Sequence, residues 1–191
     1  MKIILLLIAF VHLFGEFIYA APAKGGGSGA QGGHHIGTGI MTLSSSTQQG
    51  GQGPTGSTLL THSEYLYNFT NWGLGLFYLI DKQGSAETDT AYGPKLEVFF
   101  GAFYLDVGYA AVVNRAYTDR SIANETGTGM YYGFGTRFNL GTAKGPGAKG
   151  WYFFANYKSR TFTIDKQDGV TLSEKIIQRD NYPIFGLGFH F

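Results

Sequence analysis

Hydrophobic and polar positions alternate one by one along most of this chain. Between Phe103 and Val113, the residues Phe103, Leu105, Val107, Tyr109, Ala111 and Val113 share one face, while Tyr104, Asp106, Gly108 and Ala110 share the other. The run from Met130 repeats this, with Met130, Tyr132, Phe134 and Phe138 opposed to Tyr131, Gly133, Gly135, Arg137 and Asn139. A third run sets Trp151, Phe153, Ala155 and Tyr157 against Asn156, Lys158 and Arg160. A period of two is the mark of a strand with two unlike faces, and past the first twenty residues nothing holds helical spacing long enough for a helix. The pattern predicts eight strands, near 34–44, 60–70, 72–81, 94–100, 102–114, 128–140, 150–163 and 181–191. Between them, 45–59, 82–93, 115–127 and 164–180 read as long polar loops. The connections near Asn71 and Gly101 read as tight turns, with 141–149 a longer member of that set.

The sorting of charge then decides what the two faces meet. Glu64, Asp81, Lys95, Glu97, Asp106, Arg137, Lys158 and Arg160 all fall opposite the bulky apolar residues of their own strands. Hydrocarbon enforces such sorting, because a lipid-facing Arg or Lys near mid-bilayer costs about 2–4 kcal/mol. A soluble barrel with its charges outside sorts its faces too. The glycines on the charged face (Gly37, Gly39, Gly73, Gly75, Gly108, Gly133, Gly135, Gly186 and Gly188) favour the membrane alternative, since a narrow lumen needs small residues beside long ones.

Composition points the same way. Charged residues are 14% of the 191 and aromatics 16%, too little charge for a solvated surface carrying that much aromatic area. A formal net charge of +1 leaves no electrostatic footprint for nucleic acid. With no cysteine, disulfides and thiolate metal sites are excluded. Lys2, the apolar run Ile3–Val11 and the small residues Ala20, Ala21 and Ala23 predict a signal peptide over 1–23, cut after one of those three alanines. The apolar run falls short of the roughly 20 residues a spanning helix needs. Residues 24–33 form a Gly-rich lead-in, and 34–191 the barrel.

The last strand, Ile184 to Phe191, places Phe185, Leu187, Phe189 and Phe191 on one face. It resembles the C-terminal assembly signal of bacterial outer-membrane barrels: Gly186, Phe189 and Phe191 match, and Ile184 departs from the polar residue usual there. In architecture the chain resembles the small eight-stranded barrels of the OmpA transmembrane-domain, OmpX and OmpW type. That resemblance implies an all-β, antiparallel up-and-down transmembrane barrel in the outer membrane of a Gram-negative bacterium. It further implies outer-membrane lipids and lipopolysaccharide as surroundings, and the barrel-assembly machinery as a partner.

Candidate chemistry is sparse. Pairing Phe100 with Phe103 across the Gly101 turn sets Glu97 opposite Asp106, and Arg137 stands at a similar height on the next strand. This predicts a lumen cluster of Glu97, Asp106 and Arg137, extended by Glu64, Lys95, Lys158 and Arg160. Its simplest role is to fill an eight-stranded lumen, which has room for little but side chains; a narrow channel is the alternative. His62-Ser63-Glu64 has the composition of a catalytic triad, but Ser63 must point away from the other two in a strand. His35 and His190 share the lumen side where the first and last strands meet, beside His34, with no third metal ligand in sight. Tyr65, Tyr67, Trp72, Trp151, Tyr152 and Tyr182 suggest interfacial aromatics. No phosphate loop or nucleotide fingerprint occurs. The sequence therefore predicts a structural or surface-interaction barrel, without cofactor or catalytic site, presenting its loops to extracellular partners. The alternatives are a lipid-modifying outer-membrane enzyme and a soluble secreted barrel with apolar residues inside.

Overall fold

The computed structural model describes residues 33–41, 45–49, 57–83, 87–119, 124–141 and 149–191. The expected signal peptide and cleavage site, and all but the last residue of the expected lead-in, lie outside the described residues. Nine strand segments form one antiparallel sheet: β1 (Gly33–Met41), β2 (Ser45–Gln49), β3 (Ser57–Asn68), β4 (Trp72–Gln83), β5 (Glu87–Phe100), β6 (Phe103–Tyr117), β7 (Glu125–Asn139), β8 (Gly150–Gln167) and β9 (Val170–His190). β1 pairs with β3, each strand from β3 to β8 pairs with its successor, and β1 closes the ring by pairing Ile40 with Phe185 and His35 with His190 on β9. β2 continues along the same side of β9, from Ser45 opposite Asn181 to Gln49 opposite Ile177. β1 and β2 are thus two pieces of one strand, and the barrel is eight-stranded and up-and-down.

The ladder fixes the stagger. Partners followed once round from His35 run through Leu66, Gly75, Lys95, Gly108, Tyr131 and Arg160 to Asp180. His35 itself pairs with His190, ten residues further along β9. Such a shear tilts the strands by roughly 35–45° and leaves a lumen that side chains can fill.

Side chains obey the alternation, except that an irregularity between Ala110 and Val113 shifts the phase of β6 and turns Val113, expected on the outer face, inward. Outward positions carry exposed apolar residues such as Ile36, Leu76, Leu105, Tyr132, Phe134 and Leu187. Inward positions hold the buried charges together with Leu60, Phe77, Leu79, Tyr131, Phe162 and Ile184. Charge inside and apolar surface outside is the reverse of what the soluble alternative requires. The outward apolar band is bounded by Trp72, Phe103, Phe138 and Trp151 towards the Gly101 turn, here called the turn end. At the far side it is bounded by Tyr78, Tyr92, Tyr109, Tyr132 and Tyr157. Tyr78 and Tyr92 are direct ladder partners. Tyr152 and Tyr182, expected among the interfacial aromatics, instead point inward, 3% and 0% exposed.

Beyond the tyrosines the strands continue. Outward positions turn polar at Lys82, Thr90, Asn114, Thr128, Thr163 and Arg179 while the ladder persists. This corrects the expected loops. Segment 164–180 is almost wholly strand, joined by a two-residue turn at Asp168 and Gly169. Both turn residues have positive φ (47° and 80°), as a twist-matched hairpin turn demands, and Gly169 accepts that at little cost. β5 begins at Glu87 and β7 at Glu125, also inside expected loops. The far end is therefore marked by strand overhang, and a connection as long as 140–149 lies at the turn end.

Candidate functional site

The lumen is built in layers. Towards the turn end, β3, β5, β6, β7 and β8 each contribute charge to one cluster. Glu97 and Asp106 are ladder partners, set by the Phe100–Phe103 pairing across the turn. Lys95 stands between three carboxylates: its Nζ meets Glu64, lies 2.5 Å from Glu97 and 3.5 Å from Asp106. Arg137 Nη2 is 2.5 Å from Glu97 and 3.3 Å from Glu64, and its guanidinium rests over the rings of Phe99, Tyr104 and Tyr152. Asp106 is held by Lys158, and Asn156 donates to it at 3.1 Å. The expected Arg137–Asp106 contact is replaced by Lys158, because Gly133, the β7 partner of Asp106, has no side chain to interpose. Three cations balance three carboxylates here, which is how buried charge is kept tolerable.

Arg160 does not extend this cluster. It sits one inward position beyond Lys158, and its guanidinium turns to Asp81 and to Asp180, 2.6 Å from Nε. The rings of Phe77, Tyr131, Phe162 and Tyr182, with Leu60, Leu79 and Ile184, occupy the lumen near this height. Tyr131 stands edge-on to Phe77 at 4.8 Å and to His62 at 5.4 Å, and Lys158 Nζ lies 4.2 Å over its face.

A second polar layer occupies the overhang, beyond the apolar band. Arg115 Nε is 2.9 Å from Asp89 and from Glu87, and Nη1 is 3.5 Å from Glu125. Arg115 also donates to Gln178 Oε1, and Gln178 Nε2 donates to Asp180 at 2.9 Å, linking the Arg115 and Arg160 centres. Gln83 Nε2 donates to Asp89 at 3.3 Å. Burial pushes the Glu87 carboxyl up to about 7 despite the opposing pull of Arg115; Asp89, Glu125 and Asp81 push the same way as burial. Sequence reasoning missed Glu87, Asp89, Arg115, Glu125 and Gln178 because they lay in expected loops. The signal that could have found them was the inward series Gln178, Asp180, Tyr182, Ile184, together with Asp168-Gly169 as a hairpin turn.

The other candidates resolve geometrically. Ser63 faces outward, its Oγ 3.1 Å from Thr38 Oγ1, while His62 Nε2 lies inside, 3.6 Å from Glu64. No nucleophile–base contact forms there. His35 and His190 are ladder partners with buried rings; Asn68 Nδ2 approaches His35 Nδ1 at 2.8 Å and Arg137 Nη2 approaches Nε2 at 3.3 Å. Among the described residues no three His, Cys, Asp or Glu converge as metal ligands. Gly186, Phe189 and Phe191 lie on and just past the end of β9, where Phe189 stacks with Phe191 at 6.3 Å.

No protein-family model and no curated protein matches this chain. Among solved structures it is similar to the crystal structure of Neisserial surface protein A (NspA), with a TM-score of 0.57 and 12% identity, over 87% of this chain and 100% of that one. The outer membrane protein OprG from Pseudomonas aeruginosa also matches, with a TM-score of 0.37 and 15% identity, over 85% of this chain and 97% of that one. The likeness to NspA is one of fold, an outer-membrane β-barrel.

Proposed function

We propose that this chain is an integral outer-membrane barrel whose lumen is closed by its own side chains and which acts by contact at its far end rather than by transport or catalysis. The observation that carries this is the sequence of layers inside: a balanced ion-pair cluster, a partition of aromatic and aliphatic side chains, then a second ion-pair network. Passage through an eight-stranded lumen requires breaking buried ion pairs, and removing one partner of such a pair costs about 3–5 kcal/mol. The turn end faces the periplasm and the overhang faces outward, where extracellular partners meet the far-end connections. Outer-membrane lipids and lipopolysaccharide surround the apolar band, and Gly186, Phe189 and Phe191 serve the assembly machinery.

Two measurements test this together. Fractionated cells place the protein in the outer membrane, with gel mobility that changes on heating. The purified barrel in planar bilayers stays electrically silent in roughly 1 M KCl, where screening is strong. Steady ohmic steps from the wild-type protein contradict the closed lumen; recovery from the periplasm contradicts the outer-membrane reading.

A further inference from the structure

One guanidinium ties the ends of three strands together in the overhang. Asp89, Arg115 and Glu125 stand on one rung of the ladder across β5, β6 and β7. Glu87 and Glu125 are the first residues of β5 and β7, and Glu87 pairs with Gln83 and Tyr117, the last residues of β4 and β6. Arg115 is 1% exposed, so Glu87, Asp89 and Glu125 meet it away from bulk water.

The donors of Arg115 are unevenly shared. Asp89 takes a two-pronged grip, from Nε at 2.9 Å and from Nη2 at 3.1 Å, and Nη2 also serves Gln178. Glu87 Oε1 lies 2.9 Å from the same Nε and receives no hydrogen bond. Ionised, Glu87 therefore brings a second negative charge to an N–H that Asp89 already holds. Protonated, it sheds that charge and brings an O–H donor among acceptors. The charged and titratable groups facing it are Arg115 and Tyr117 of β6, Asp89 of its own strand, Asp81 of β4 and Glu125 of β7. Burial pushes the Tyr117 hydroxyl up to about 12, well clear of neutral pH. Lys82, Asp119 and Lys166 stand exposed at the same end.

We propose that the Arg115 centre is an acid-tightened clasp: with Glu87 protonated the ends of β5, β6 and β7 are held together, and with Glu87 ionised they part. Glu87 keeps 15% of its side chain accessible and Asp89 none, so Glu87 is the carboxyl that exchanges its proton with the medium and turns to water when ionised. Its place on the outermost rung makes local fraying the response, with the ladder below left intact. Burial pushes this carboxyl up to about 7, above its ordinary value of 4.5. The closed end therefore binds a proton that the frayed end gives up. Closure is favoured as pH falls from about 7 towards 4.5 and is lost as pH rises through 7. The clasp lies beyond the apolar band, so it stands whether or not the lumen conducts.

The experiment is electron spin resonance of the full barrel in lipid vesicles, with a nitroxide on Ala116→Cys. Ala116 is exposed beside Arg115 and pairs with Thr88 of β5. The ratio of mobile to immobile probe is expected to rise about ten-fold between about pH 5.5 and about pH 8.5, with a midpoint near 7. Glu87→Gln carries an uncharged group at every pH and is expected to keep the probe immobile throughout. If that variant does not fold, amide exchange at the start of β5 in the unlabelled wild type, corrected for its intrinsic pH dependence, is expected to quicken over the same range. A probe on Ala102→Cys, at the turn end, is expected to show no change. A ratio at position 116 that ignores pH or falls as pH rises overturns the proposal. So does the same titration persisting in Glu87→Gln, or appearing equally at position 102.

Discussion

Lys95→Met is expected to destabilise the barrel more than any other single substitution in the lumen. The wild-type ammonium lies among Glu64, Glu97 and Asp106, and the whole side chain is buried. Methionine keeps the volume and removes the charge, leaving three carboxylates to Arg137 and Lys158 alone. Breaking a buried pair from one side costs about 3–5 kcal/mol, because the remaining charges have no water to turn to. The measurement is urea unfolding in lipid vesicles, followed by the fluorescence of Trp72 and Trp151. Adding Glu64→Gln is expected to recover part of the loss, since one stranded charge is then gone. Additive losses in the double variant would show that Lys95 and Glu64 act independently.

Gly108→Val carries the second-largest expected effect, and for a steric reason. Gly108 is the ladder partner of Tyr131, and a Cβ at Gly108 would overlap the Tyr131 ring. That ring is packed against Phe77 and His62 with Lys158 over its face, so it cannot swing aside cheaply. Overpacking of this kind costs about 1–3 kcal/mol, and the displaced ring also disturbs the lumen partition. Unfolding midpoints are expected to fall for Gly108→Val and to recover in part in Gly108→Val/Tyr131→Ala, where the added methyls occupy the vacated space. A double variant weaker by the sum of the two single losses would place the Gly108 effect elsewhere.

What could be read from the sequence follows from what each segment faces. Where the outer wall meets hydrocarbon, lipid imposes a strict alternation, and β6, β7 and β8 were legible there. The Glu97–Asp106 pairing was legible because a two-residue turn leaves little freedom of register. Beyond the tyrosines the outer face turns polar while the inner face mixes charges with Val113, Ile164 and Ile176, so the period of two loses its hydrophobic contrast. Val170 to Asp180 and Glu87 to Gly93 then resemble loops although they are strands. Tyr152 and Tyr182 were misread because lumen and lipid both accept tyrosine, and only strand phase distinguishes them. Arg160 was grouped with Lys158 by parity alone. The ten-residue stagger lifts β8 relative to β4, which brings Arg160 to the level of Asp81 rather than Asp106.

The central claim is that the alternation is a membrane phase, lipid outside and charge within. The chain has no cysteine, so single cysteines introduced one at a time along β6, from Phe103 to Val113, carry nitroxide probes without interference. In reconstituted bilayers, oxygen accessibility is predicted to rise at positions 103, 105, 107, 109 and 111 and fall at 104, 106, 108 and 110. Accessibility of the opposite phase, or with no period of two, would contradict the account.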